Sequence, residues 1–306
     1  MRKLILIGIC IVVAGGWLLA SEVTHDKLGW RVDAVSNKLT GRMPEVGWPR
    51  LGSALIPAGL RSPEAALTSG FIQFARSDEG PCSVVWDTPL RPIWGARGDE
   101  SLLEFLAVEQ FAVRLYERDG VSIQPGDTVL DVGGHLGTFT AVALASGAAK
   151  VVVFEPDPSN IACFKKSFAS EIQAGSVVLI EAAAWETETE LTFELNDNSA
   201  RGKIDDVGDL SFTETGVGAE LKVQAVTIDA VAERLGLERI DFIKMDIEGS
   251  ERHALKGAAK TLAKSKPRMA LCVYHREDDP QVIPELVGEL NPAYESSIAD
   301  AQAYFH

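Results

Sequence analysis

The chain has 306 residues, 46% of them hydrophobic, which is material for one large α/β domain with appendages or for two small domains. A formal net charge of −15 excludes general nucleic-acid binding, which needs a basic footprint, and otherwise implies only a soluble surface. Cys10, Cys82, Cys163 and Cys272 are widely scattered and lack metal-ligand spacing, so they read as small apolar core residues in a reducing compartment.

At the start, Arg2 and Lys3 precede an uncharged apolar run, 4–20. Such a run is just long enough to span a bilayer and also fits a signal-peptide core. Leu18 is bulky where cleavage after Ala20 would prefer a small residue, so residues 1–21 are expected to be an uncleaved anchor. The positive-inside rule holds Arg2 and Lys3 in the cytoplasm and sends the rest outward, while Lys27, Arg31 and Lys38 weaken that orientation.

Residues 22–100 are punctuated by Pro, Gly and Trp and are expected to form a linker and cap region, with 41–63 extended. Short strands are predicted at 69–75 and 83–86, and the aromatic residues around Trp86 and Trp94 either cover a cleft or simply pack on the main domain. The main domain is expected to span 101–306. It opens with an amphipathic helix, 101–116, with apolar residues at 102, 103, 106, 108, 111, 112 and 115, and Ser101 and Glu104 placed as a capping box.

The centre of the chain is Thr128 to Thr140. An apolar strand ends on Asp131, and Gly133, Gly134 and Gly137 lead into an Ala-rich helix. A second apolar strand, 151–154, ends on Glu155-Pro156-Asp157. Strand, glycine turn, helix, strand and terminal acid make a βαβ unit of the kind that holds nucleoside cofactors at its strand tips. In a dinucleotide fingerprint the position of Asp131 would be a glycine. A carboxylate there repels a pyrophosphate and suits an ammonium group. The expected cofactor is therefore S-adenosyl-L-methionine, with its ammonium towards Asp131, the backbone approached at Gly133 and Gly137, and the ribose hydroxyls on Glu155.

Further along, a helix is predicted at 158–170 and a strand at 176–180, leading to Ala183 and Trp185. These are candidate neighbours of the base, although Trp185 reads equally as a core aromatic. Residues 190–195 and 221–226 alternate as half-exposed antiparallel strands, with a loop at 196–218 between them and a helix at 229–237 after them. A second chemical centre is Ile240 to Glu251, an apolar strand ending in Lys244, Asp246 and Glu248, which share one side if the strand runs straight. Three ionisable groups there are either ligand-facing or an ion network that closes the strand and caps the helix expected at 251–263. His275, ending a further apolar strand at 268–274, is a candidate general base because an imidazole titrates near neutrality.

The segments VLDVGGHLGTFT, VFEPDPSN, FIKMDIEGSERHALKG and YHRE, in this order and spacing over roughly 120–290, resemble the FkbM family of S-adenosylmethionine-dependent methyltransferases. The resemblance implies a class I methyltransferase (Rossmann-like) α/β fold: a mostly parallel sheet ordered 3-2-1-4-5-7-6, with helices on both faces. It also implies O-methylation of a hydroxyl on a sugar, glycolipid or small natural product. Matched motif by motif, Asp131, Gly133, Gly134 and Gly137 belong to the cofactor loop, Glu155 and Pro156 to the ribose acid, and Lys244, Asp246 and Glu248 to the fourth strand end. Ala183 is the candidate beside the base. Catalysis falls to His275, Asp246 and Lys244, with no metal in the set, because one carboxylate pair lacks a third ligand. A small-molecule or glycan hydroxyl is the expected partner, with membrane association through 4–20. A donor made in the cytoplasm places the catalytic domain on that side. His135 departs from the family pattern, and residues 291–306 offer little material for its terminal strand pair, so the sheet could be incomplete. The competing readings are a nicotinamide-dependent oxidoreductase and a catalytically inactive membrane-tethered binding protein.

Overall fold

The computed structural model describes residues 35–42, 72–80, 82–97, 99–118, 120–195, 203–204, 219–299 and 301–306. The expected anchor at 4–20 and most of the 196–218 loop lie outside them. Among the described residues no helix is long and apolar enough to cross a membrane.

The organising element is a seven-stranded sheet. Its five parallel strands are β4 (Thr128–Val132), β5 (Lys150–Phe154), β6 (Val177–Ile180), β11 (Phe242–Met245) and β12 (Arg268–Cys272). Their near-continuous apolar sequences are what strands covered on both faces require. Two antiparallel strands, β13 (Ser296–Ala299) and β14 (Gln302–Phe305), complete it. Read from the β6 edge, the order is third, second, first, fourth, fifth, seventh, sixth, as expected. The sheet is therefore not incomplete. Four residues per strand suffice because β14 is buried along its whole length and the Tyr304 hydroxyl donates to the Leu115 carbonyl at 2.6 Å.

Alternation along the strands assigns the faces. Val129 of β4 and Phe242 of β11 point into a core with Phe111, Phe139, Phe164 and Phe168. Leu130, Val132, Ile243 and Met245 point into the opposite core with Leu255, Ile283 and Phe305. The same parity puts Asp131 and Lys244 together on the first face, and they are register partners on adjacent strands.

The helices mostly follow expectation. α1 (Glu100–Ala107) begins one residue early, with Asp99 at the N-cap in place of the predicted Ser101. It runs into a π-helical turn, Val108–Val113, closed by Arg114 in the left-handed region. Next come α2 (Thr138–Ala145), α3 (Pro158–Ser167), α4 (Ala169–Ala174) and α5 (Ile228–Arg234). Asp157 caps α3 by accepting from the Ser159 and Asn160 amides, with Pro158 in the first turn. The predicted 251–263 helix is two helices, α6 (Glu251–Lys256) and α7 (Ala259–Ser265), because Gly257 abuts the Trp185 carbonyl. α8 (Asp279–Leu290) precedes the terminal hairpin.

Two small sheets are appended. β7 (Ala183–Ala184), β8 (Thr189–Leu195), β9 (Lys203–Ile204) and β10 (Ala219–Val226) form one, in the order β7-β10-β8-β9. The other joins β1 (Gln73–Ser77), β2 (Val84–Asp87) and β3 (Pro92–Gly95), all antiparallel. This second sheet packs on α3 and α4. Arg91 pairs with Glu171 at 3.0 Å, the Trp94 amide donates to Ser167 Oγ at 2.9 Å, and Cys82 forms a disulfide with Cys163. The bond overturns the reading of four free cysteines. Two residues 81 apart carry no spacing signal, and only the fold brings them together. Cys272 is free and buried, as expected.

Candidate active site

The strand tips of β4 and β11, with the end of α1 and its π-helical turn, form one cleft of about 400 Å³, open mouth included. It is lined by Leu106, Gln110, Gly133, Gly134, His135, Thr138, Phe139, Lys244, Asp246 and Glu248. This is the carboxyl edge of the sheet, where ligands bind in open α/β folds.

The glycine turn is shaped first by the protein itself. At Gly133 (φ +86°) an added Cβ would overlap the Asp246 carbonyl oxygen, and at Gly137 (φ +92°) it would overlap the Phe168 ring. Both positions need the left-handed region and the missing side chain. Gly137 therefore serves α2 packing and does not line the cleft, whereas Gly133 and Gly134 do.

Asp131 lies beneath this turn and is fully buried. Its Oδ2 accepts from Thr140 Oγ1 at 2.6 Å and its Oδ1 is 3.3 Å from Lys244 Nζ. Burial drives its pKa up, against the pull of Lys244 and Thr140. Lys244 donates onward to the Gly133 carbonyl at 2.6 Å, and although burial opposes its charge, Asp131 and Asp246 raise its pKa. The acid expected to meet an ammonium directly instead fixes a lysine, and the lysine fixes the glycine turn.

Glu155 is likewise buried beneath the loops. Oε2 accepts from the His135 amide at 2.7 Å, and Oε1 from the Asp157 amide at 2.9 Å and from Asn160 Nδ2 at 3.4 Å. Burial pushes its carboxyl up to about 7, because the two backbone donors only partly offset desolvation. Pro156 follows it, half-buried. Ala183 is buried in the core of the β7–β10 sheet with Trp185, whose ring stacks on His253 at 3.9 Å, so neither lines the cleft.

The fourth strand stops at Met245, and the chain turns through Glu248 (φ +55°) and Gly249 (φ +94°). Glu248 therefore leaves the strand alternation on which the sequence argument relied, yet it still reaches the cleft beside Asp246. Asp246 accepts from the Tyr116 hydroxyl at 2.9 Å. Burial raises its pKa, but Lys244 and His275 outweigh this and hold it below the usual range. His275 lies behind these acids: Nδ1 is 2.9 Å from Glu251 Oε1, and Nε2 is 3.4 Å from Asp246 and 3.7 Å from Glu248. Burial opposes its charge, but Glu251, Asp246 and Glu248 together raise it to about 9. An imidazolium at neutral pH is a poor proton acceptor, and His275 does not line the cleft.

Sequence reading missed Gln110, Tyr116 and Glu251. Gln110 is buried with Oε1 lacking a hydrogen bond, and it faces the cleft from the π-helical turn. Such turns often mark functional sites, but a straight-helix periodicity hides them. Tyr116 ends the predicted amphipathic helix, a position that carries no signal for its bond to Asp246. Glu251 was read as the start of a helix, which it is, although its side chain turns back to the Ile247 amide and His275.

A Rossmann-like sheet in this strand order, with a glycine turn and acids at adjacent strand tips, is the framework of a class I methyltransferase. The chain belongs to the methyltransferase FkbM domain family, whose profile matches residues 131–295, more than half of it. It is 30% identical over 177 residues to the 31-O-demethyl-FK506 methyltransferase FkbM of Streptomyces tacrolimicus, covering 50% of this chain and 68% of that protein. It is 24% identical over 238 residues to the hexuronic acid methyltransferase AglP of Haloferax volcanii, covering 77% and 84%. The solved structure of methyltransferase FkbM from Methylobacillus flagellatus KT aligns with a TM-score of 0.46 at 19% identity, over 69% of this chain and 56% of that one.

Proposed function

We propose that the chain transfers a methyl group from S-adenosyl-L-methionine to a hydroxyl oxygen of a sugar, glycolipid or small natural product. The observation that carries this reading is a glycine-backed cleft with Asp246 and Glu248 facing it from one strand tip, and with its His135 amide held by buried Glu155 from the next. The residues fit the donor. Glu155 retains acceptor capacity beside its backbone donors for ribose hydroxyls, with Pro156 following it. Gly133 and Gly134 bring bare backbone to the cleft wall, and Asp246 and Glu248 supply negative charge for an ammonium and a sulfonium. Asp131 contributes from below, through Lys244. The membership of a methyltransferase family and the likeness to two sugar or natural-product methyltransferases support the same assignment.

The bound donor supplies an electrophilic methyl carbon on a positively charged sulfur. Against it the chain has to position an acceptor oxygen and dispose of its proton. Asp246, oriented by Tyr116, accepts the hydroxyl's hydrogen bond and then its proton. Gln110 lines the same space from the π-helical turn, with an Oε1 that makes no hydrogen bond and is available as an orienting acceptor. His275 keeps Asp246 charged rather than acting as the base. His275→Ala should reduce turnover while donor binding is kept.

Calorimetric titration with S-adenosylmethionine and, separately, with NAD tests the reading. One equivalent of the first and none of the second supports it, and the reverse pattern refutes it. Membrane association through residues 4–20 belongs to the same proposal, because an acceptor carried on a lipid would require it. Flotation of the full chain with vesicles, compared with a chain starting at residue 22, checks it.

A further inference from the structure

We propose that Asp246, Glu251 and His275 form a binding site for one divalent cation of the Mn²⁺ type, with Glu248 at its mouth, and that this cation holds the acceptor hydroxyl. The proposal deepens the methyl-transfer reading and rests on it for the cation's role, but not for the site itself.

The cluster is compact: one ligand atom from each of Asp246, Glu251 and His275 lies within 4.8 Å of the other two. What distinguishes it from a chance gathering of acids is the state of its buried members. The His275 side chain is 6% exposed and that of Glu251 is 1% exposed. Each keeps one ligand atom without a hydrogen bond, His275 Nε2 and Glu251 Oε2. Buried polar atoms are nearly always satisfied, so two orphans within one cluster, each able to ligate a metal, call for a partner. Nε2 is aimed at the acids, 3.4 Å from Asp246 Oδ1 and 3.7 Å from Glu248 Oε2, too far for a good hydrogen bond but close to where ligands of one ion would sit.

Charge argues the same way. Three carboxylates surround one imidazole, while the nearest lysine, Lys244, is committed to Asp131 and the Gly133 carbonyl, and Arg276 Nε donates to the Gly249 carbonyl. A set of carboxylate oxygens with one imidazole nitrogen suits Mn²⁺ or Fe²⁺ better than Ca²⁺, which prefers oxygen alone. The left-handed Glu248 and Gly249 form the turn that brings the Glu251 carboxylate back to the Ile247 amide and His275. Asp246 and Glu248 open onto the methyl-transfer cleft, so an ion held here faces the acceptor.

Such an ion would bind the acceptor hydroxyl and lower its pKa. The hydroxyl then loses its proton to water, the oxygen takes the methyl carbon, and the carbon–sulfur electron pair leaves with the sulfur as a neutral thioether. Asp246 then acts as a ligand in place of its role as proton acceptor.

The test uses the full chain stripped with chelator and titrated with Mn²⁺, following free Mn²⁺ by electron paramagnetic resonance. One equivalent should bind, with a nitrogen coupling in the pulsed spectrum. His275→Ala should abolish that coupling, and the near-isosteric Glu251→Gln should weaken binding by roughly tenfold or more. No binding up to 1 mM (roughly the affinity of the weakest protein sites) would overturn the proposal, as would binding that lacks nitrogen coupling or that both variants leave unchanged. Titrating the same stripped protein with S-adenosylmethionine separates the two readings. Donor binding without Mn²⁺ binding removes the cation site alone, whereas Mn²⁺ binding without donor binding removes the methyl-transfer reading and leaves the site.

Discussion

Glu155 makes the pH dependence of stability a direct readout of the site's construction. Its carboxyl sits at about 7 in the folded chain, against 4.5 for the exposed group, because burial outweighs the hydrogen bonds from the His135 and Asp157 amides. A raised folded pKa means that the folded state holds the proton more tightly. The associated stabilisation is fully present below pH 4.5 and is lost as pH rises through about 7. At about 1.4 kcal/mol per unit, the loss is about 3 kcal/mol, a large part of a typical domain's stability. Glu109 is also raised to about 7, by burial and then by Asp246, and it titrates in the same window. The diagnostic is therefore the difference between wild type and Glu155→Gln in urea unfolding from pH 4.5 to 8. The amide faces one backbone N–H with a donor, which imposes an offset at every pH. Beyond that offset, the wild-type curve should fall by about 3 kcal/mol more than the variant's across the window. Parallel curves would refute the claim that Glu155 is held desolvated. Ribose hydroxyls donate to the charged form, so donor binding near pH 6.5 should also release a proton, visible as a dependence of binding enthalpy on the buffer's ionisation heat.

Three further outcomes follow from the packing. Gly137→Ala places a methyl group against Phe168 at a left-handed position and should destabilise by roughly 2–5 kcal/mol in chemical denaturation, with unchanged activity in the fraction that stays folded. Lys244→Met leaves Asp131 buried without its cation and should lose roughly 3–5 kcal/mol; Asp131→Asn added to it should recover part of that loss in a double-mutant cycle. Reducing the Cys82–Cys163 bond reopens a loop of 81 residues, so denaturation with and without reductant should differ by up to about 4–5 kcal/mol. An unchanged midpoint would contradict the bond.

The sheet was legible because its strands are apolar runs that end on acids or glycines, and because period two along Thr128–Val132 and Phe242–Met245 fixes which side chains meet. The terminal hairpin looked too short on length alone, but burial of β14 on both faces compensates for its four residues. The site was legible as a set of residues and less so as a set of roles. Asp131 and Glu155 were found through their strand-end positions, yet sequence cannot show that Asp131 is spent on Lys244 and Thr140, or that backbone amides already hold Glu155. His275 looked like a base because an imidazole titrates near neutrality; Asp246 and Glu248 were expected beside it, but together with Glu251, whose side chain turns back from the start of α6, they hold it charged. Gln110 was hidden by a π-helical turn that shifts the phase of an otherwise regular helix, and the disulfide by the 81 residues between its ends.

The central claim is tested most directly by a crystal structure of the chain with S-adenosylhomocysteine, the product left after methyl transfer. The account predicts the adenosine sugar against Glu155, the amino-acid half along Gly133 and Gly134, and the sulfur facing Asp246. An empty cleft in crystals grown with saturating ligand, or a sugar bound away from Glu155, would contradict it.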